Sequence, residues 1–208
     1  MELSELTVRS FANLLGSDAP APGGGSAAAL AGSLGAALAA MVSAVTLGRK
    51  KYAEYQDLAQ EGMEQGSILK DAFLIAMERD TDAFNAFSAA MALPKESPEE
   101  KAARSAAMQE ALALCIESPL HMMELSFETM KLMEKLVGKT NANAMSDLGV
   151  AALMLGTAVK GAWLNVLINL GSLKDEAAAA AYRLKGEELL NDTVVLSQIV
   201  YERVVQAL

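Results

Sequence analysis

Apolar and polar positions follow a helical period along nearly the whole chain, and no stretch alternates as a half-buried strand would. Thr7 stands before Val8, Phe11, Leu14 and Leu15, a spacing that predicts a short first helix capped by the threonine hydroxyl. The Gly/Pro-rich stretch 16–25 reads as a loop. From about 26 to 47 the chain carries no charge, and two ridges run at spacing four. One is small (Ala28, Gly32, Ala36, Ala40) and the other bulkier (Leu30, Leu34, Leu38, Met41, Val45). A ridge of small residues lets a neighbouring backbone come close, so this second helix is expected at the centre of the core.

A long third helix is predicted over about 53–92, with Leu58, Leu69, Phe73, Ala76, Ala83 and Phe87 on one stripe and Pro94 as its stop. Ser97-Pro98-Glu99-Glu100 is a helix start, with a capping hydroxyl, proline at the first position and acids in the first turn. Pro119 is expected to bend or break that helix, and a further helix continues to a stop at Gly138. Ser146-Asp147 opens the next one, which runs to about 170, and residues 173–208 form one long or two shorter helices. The fold class that follows is all-α, a multi-helix bundle of six to eight helices in a single domain over 1–208.

Composition agrees with close-packed helices: 52% of the 208 residues are apolar, only 5% are aromatic, and 12 are Met. The formal charge of −9 argues against nucleic acid, whose phosphates would be repelled. One cysteine, Cys115, cannot form an intramolecular disulfide, and the acidic start MELSE lacks the layout of a signal peptide. A cytoplasmic location is the expectation. Residues 19–48 are long enough to span a bilayer, but nine Ala and five Gly or Ser within 26–47 weaken the drive to leave water. The second apolar stretch, 148–170, contains Lys160, Asn165 and Asn169. A soluble protein without a membrane span is the expected outcome.

Three places carry candidate chemistry. Gly23, Gly24 and Gly25 lead into Ser26, which can cap the second helix; bare glycines let a ligand approach the main chain, and a helix N-terminus favours electron-rich groups. No Gly-Lys-Ser/Thr follows, so this is not a nucleotide loop. Beyond the other end of the same helix lie Arg49, Lys50, Lys51 and Tyr52, where positive charge complements the helix dipole and can also meet a small anion. Asp80 interrupts the apolar stripe of the third helix, either as an acid at its edge facing solvent or Arg79, or as a carboxylate held in apolar surroundings. Asp147 can be a first-turn acid or a ligand group, and Asn141, Asn143 and Ser146 can contact a ligand or simply form the loop. Asp82 points away from the stripe. Lys160 can snorkel, Cys115 reads as a buried inert thiol, and the lone His121 lacks a partner at metal-ligand spacing.

Taken together, PAPGGGSAAALAGSLGAALAAMV at 20–42, GRKKY at 48–52, DTDAF at 80–84 with LP at 93–94, NANAMSDLGVAAL at 141–153 and LNVLINL at 164–170 resemble one family. It is the cyclodeaminase/cyclohydrolase family: the C-terminal half of formiminotransferase-cyclodeaminase and the stand-alone methenyltetrahydrofolate cyclohydrolases. The resemblance implies chemistry at the N5/N10 one-carbon bridge of tetrahydrofolate, with no redox cofactor and no metal. It places the family's acid on Asp80, implies Asp147 as a second catalytic candidate able to hold the amino-pyrimidine edge of a pterin, and makes Lys51 a candidate for proton transfer. Gly23, Gly24, Gly25, Ser26, Lys50, Tyr52, Asn143 and Ser146 become substrate-binding candidates, the lysines facing a glutamate or polyglutamate tail. A homodimer with substrate at or near its interface is implied as well. The 208 residues contain no transferase half, which leans toward the stand-alone cyclohydrolase, while a cyclodeaminase stays open. A non-catalytic folate-binding or assembly protein on the same scaffold is the alternative.

Overall fold

The computed structural model describes residues 2–208. Its helices are α1 (Val8–Leu15), α2 (Gly24–Ala44), α3 (Gln56–Met91), α4 (Pro98–Leu136), α5 (Met145–Leu170) and α6 (Glu176–Ala207), joined in part by short 3-10 turns at Leu3–Glu5, Lys50–Tyr55 and Ala142–Ala144. No strand occurs among the described residues. The all-α expectation holds, and the segment after 173 is one helix.

Local signals explain most boundaries. Thr7 accepts a hydrogen bond from the Ser10 amide at 3.1 Å, as predicted. Ser97 and Glu100 form a reciprocal capping box, with Pro98 in the first turn. Gly138, at φ +82°, takes the left-handed conformation that ends α4. Two boundaries differ from expectation. The second helix begins at Gly24 with Gly23 as N-cap, so Ser26 lies inside the first turn, buried, and caps nothing. Glycine can start a helix, and here no side chain satisfies its first amides. Pro119 neither bends α4 to a stop nor splits it; the helix runs through it from 98 to 136.

α2 lies between α3 and α5, α4 packs on α3 and α5, and α6 covers α4 and α5. The small ridge of α2 is buried as predicted: Ala28, Gly32 and Ala36 lie in the core. α3 runs antiparallel along it in a register of small residues. A Cβ at Gly66 would stand 2.9 Å from the Ala40 amide nitrogen, and one at Gly32 would stand 2.6 Å from Cδ1 of Phe73. Only glycine permits those approaches. The bulky ridge of α2 turns the other way, leaving Leu34 47% and Met41 36% exposed. α5 adds Leu153, Leu164 and Ile168, each more than half exposed. α2 and α5 are long and apolar enough to cross a membrane, although half of the apolar window of α2 is buried in the fold.

Candidate active site

Seven residues further along α3 from Phe73, and seven back along α2 from Gly32, the same register brings Asp80 against Gly25. A methyl group at Gly25 would lie 2.8 Å from Cγ of Asp80 and closer still to Oδ2, so this glycine leaves the space the carboxylate occupies. Asp80 is half-buried, and no cation lies within ion-pair distance of it among the described residues. The reading that paired it with Arg79 therefore fails. Burial alone pushes its pKa up from 3.8 to about 6. Such a carboxyl group is poised to gain and lose a proton near neutral pH.

Asp80 opens onto a cavity of about 270 Å³ lined also by Phe84, Phe87, Cys115, Asn165, Ile168 and Asn169. Cys115 is thus half-buried at the site rather than sealed in the core. Desolvation, aided by the charge of Asp80, pushes its thiol up to about 11, so it stays protonated and is no nucleophile at neutral pH. Asn165 and Asn169 come from the C-terminal part of α5, which packs on α2, and a Cβ at Gly24 would lie 3.8 Å from the Asn165 amide nitrogen. Sequence reading noted these two only as polar residues in an apolar helix. Their spacing of four, which puts both on one face, was the available signal.

Of the other predicted residues, Lys50, Lys51, Tyr52 and Asn143 gather at the opposite end of α2. Arg49, Lys50, Lys51, Tyr52, Asn141, Ala142 and Asn143 surround a hollow of about 470 Å³. Tyr52 is buried, and its hydroxyl accepts a hydrogen bond from the Ala142 amide at 2.9 Å; the Asn141 amide donates to Thr46 Oγ1 at 2.8 Å. These bonds dock the loop before α5 onto the end of α2. Lys50 and Lys51 are exposed, with no carboxylate within 4.0 Å among the described residues; Lys51 Nζ sits 5.5 Å from the centre of the Tyr52 ring. Ser146 is exposed and Asp147 half-buried in the first turn of α5, where Asp147 makes no capping bond. Neither lines either cavity. Gly23 is exposed, and a Cβ there would meet nothing within 4 Å.

The 21 residues of α2 separate the two groups by roughly 30 Å at 1.5 Å per residue. The Asp80 cavity and the lysine hollow are therefore distinct places on one chain. A larger cavity, about 550 Å³, opens between α3 and α4 beside Arg79, Asp82, Glu117, Ser118 and His121. His121 there pairs with Glu124 at 3.1 Å, and no cluster of metal-ligating side chains occurs among the described residues.

An all-helical bundle with a desolvated carboxylate at the edge of a small, largely apolar cavity is an arrangement suited to acid–base chemistry. Comparison with known proteins gives that scaffold its family. A family model described as formiminotransferase-cyclodeaminase matches residues 7–188, and the chain belongs to that family. It is 39% identical over 198 residues to a methenyltetrahydrofolate cyclohydrolase of Methylorubrum extorquens, covering 95% of each chain. It is 37% identical over 197 residues to a formimidoyltransferase-cyclodeaminase of Sus scrofa, matching 94% of this chain and 36% of that one. The crystal structure of a formiminotetrahydrofolate cyclodeaminase from Thermotoga maritima superposes with a TM-score of 0.82 at 26% identity, covering 100% of this chain and 98% of that one.

Proposed function

We propose that this chain is a folate one-carbon enzyme acting on the N5/N10 bridge of tetrahydrofolate, with methenyltetrahydrofolate hydrolysis as its reaction. The observation that carries the proposal is Asp80: an unpaired, half-buried carboxylate near pKa 6 at the mouth of a small cavity, in a chain so similar along its length to a cyclohydrolase. Water adds to the cationic methenyl carbon, forming a C–O bond while Asp80 accepts the released proton. The C–N5 bond then breaks as the added hydroxyl becomes the formyl carbonyl; N5 takes the proton held by Asp80, the hydroxyl proton passes to solvent, and 10-formyltetrahydrofolate is left with one net proton released. The charged carboxylate also stabilises the amidinium-like cation before attack. Oxidation state does not change, so the reaction asks for no redox cofactor.

In the cyclodeaminase direction N10 attacks a formimino carbon and ammonia leaves, a step the same acid–base group serves. Purified protein assayed for loss of the methenyl absorbance, and separately for ammonia release from formiminotetrahydrofolate, decides between them. Activity on neither substrate would overturn the proposal and favour a non-catalytic binding protein.

Lys50 and Lys51 fit the glutamate or polyglutamate tail, with Asn143 in the same hollow for a further polar contact, while Ser146 and Asp147 follow in the first turn of α5 outside it. A monoglutamyl folate is shorter than the roughly 30 Å between the two clusters of one chain. A homodimer accounts for this. A two-fold axis crossing the middle of α2 would bring the Asp80 end of one subunit to the lysine end of its partner, and the exposed Leu34, Met41, Leu164 and Ile168 would supply an apolar interface. Mixing Asp80→Asn subunits with Lys50→Ala/Lys51→Ala subunits tests the arrangement. Recovered activity on polyglutamylated substrate supports sites shared between chains, and no recovery despite demonstrated subunit exchange refutes them. We place the enzyme in the cytoplasm as a soluble protein, consistent with its single cysteine and the partial burial of its apolar helices.

A further inference from the structure

The amide orientations of Asn165 and Asn169 are fixed by groups that can only accept. Asn165 Nδ2 donates to the Gly161 carbonyl at 2.9 Å. Asn169 Nδ2 donates to two carbonyls, Asn165 O at 2.8 Å and Cys115 O at 3.2 Å. An amide turned over would set carbonyl against carbonyl. The Cys115 carbonyl has this use because of the residue four positions later. Pro119 has no N–H, so the helical bond it would have given to Cys115 is missing, and Asn169 takes its place from the neighbouring helix.

Asn169 Nδ2 thus has both of its N–H groups spent on backbone and Asn165 Nδ2 one of its two, which fixes each amide's orientation, and no protein donor reaches either Oδ1 among the described residues. Both residues line the Asp80 cavity. Together with Asp80 they give the cavity three acceptor side chains and no charged donor. Acceptor oxygens left without donors favour a ligand that is positive or rich in N–H.

Resting on the folate reading above, we propose that Asn165 and Asn169 are specificity-determining residues whose locked carbonyl oxygens, with Asp80, select the cationic one-carbon bridge over neutral folates, and that Pro119 is a positioning residue acting through Asn169. The neutral 10-formyl product gains little from those oxygens and leaves. Asn165 holds its own helix, whose Gly161 carbonyl is already within reach of the Asn165 backbone amide, so its loss spares the fold.

The test compares kcat/KM for methenyltetrahydrofolate with the inhibition constant of 5-formyltetrahydrofolate, a neutral analogue, in the full-length protein. Asn165→Leu and Asn169→Leu keep the side-chain shape and remove the oxygen. Each should lower kcat/KM for the cation about ten-fold or more while changing the inhibition constant less than about two-fold. Pro119→Ala restores the helical N–H and releases Asn169 with no loss of helix propensity; it should reproduce part of the Asn169→Leu effect. Equal weakening of both ligands, or no change in their ratio, overturns the inference while leaving the proposed reaction standing. A wild-type protein that handles neither folate removes the reaction itself, and this inference with it.

Discussion

Replacing Asp80 with Asn tests the central electrostatic claim without reference to substrate. The folded-state pKa is raised from 3.8 to about 6 by burial, so the native protein binds a proton there that the unfolded chain has released between those values. Stability contributed by the protonated carboxyl is therefore complete below about pH 3.8 and lost as pH rises through 6. Between pH 5 and pH 8 the loss comes to roughly 1.4 kcal/mol, or about 1 kcal/mol after allowing for partial solvent access. Asn cannot ionise and escapes it. Urea denaturation of wild type and Asp80→Asn at both pH values reads the effect as a double difference, in which all other titrating groups cancel. The variant should gain on wild type by about 1 kcal/mol at the higher pH, while turnover falls about a hundred-fold. A double difference near zero would refute the desolvated carboxylate, and near-wild-type turnover in a folded variant would refute its catalytic use.

Neighbouring positions make matched experiments. Gly25→Ala drives a methyl group into the Asp80 carboxylate, and should cost about a hundred-fold in kcat by displacing it, whereas Gly23→Ala, with open space around it, should leave kcat unchanged and lower the urea midpoint only by the roughly 1 kcal/mol or less that a poorer N-cap costs. Changing Lys50 and Lys51 to Ala should raise the Michaelis constant more for polyglutamylated than for monoglutamylated substrate, and added salt should blunt the difference; equal effects on both would exclude a tail-binding role.

Much of this architecture is legible in the sequence because its signals are local. The Thr7 cap, the Ser97–Glu100 box and Gly138 each fix a helix end through atoms within four residues of it. The small ridge on α2 announces a close helix contact, and Asp80 stands out as the one acid on an apolar stripe. What escapes is non-local. Pro119 reads as a breaker because the remedy for its missing hydrogen bond, Asn169, lies 50 residues away in sequence and meets it only in the folded core. Asn165 and Asn169 look like blemishes in an apolar helix until α4 and α5 are packed together. Ser26 reads as a cap because glycine leaves no signal of its own, and the helix starts three residues earlier than a cap at Ser26 would indicate.

Two features of the chain oppose its own stability, and their positions are informative. Asp80 sits desolvated without a counter-ion, where Asn or an apolar residue would be less costly near neutral pH. The outer ridges of α2 and α5 leave large apolar side chains in water, with Ile168 76% and Leu164 66% exposed. A lone globular chain gains nothing from either. An enzyme gains from the first, since a carboxyl group that titrates near neutrality can pass a proton twice in one turnover. A dimer gains from the second. Ile168 belongs to both, as a wall of the Asp80 cavity and as part of the exposed apolar face. The surface that would bury the interface thus reaches the site that would do the chemistry. In the proposed assembly, association would close that cavity at the same time as it covers the ridge, so catalytic competence and subunit pairing become one event.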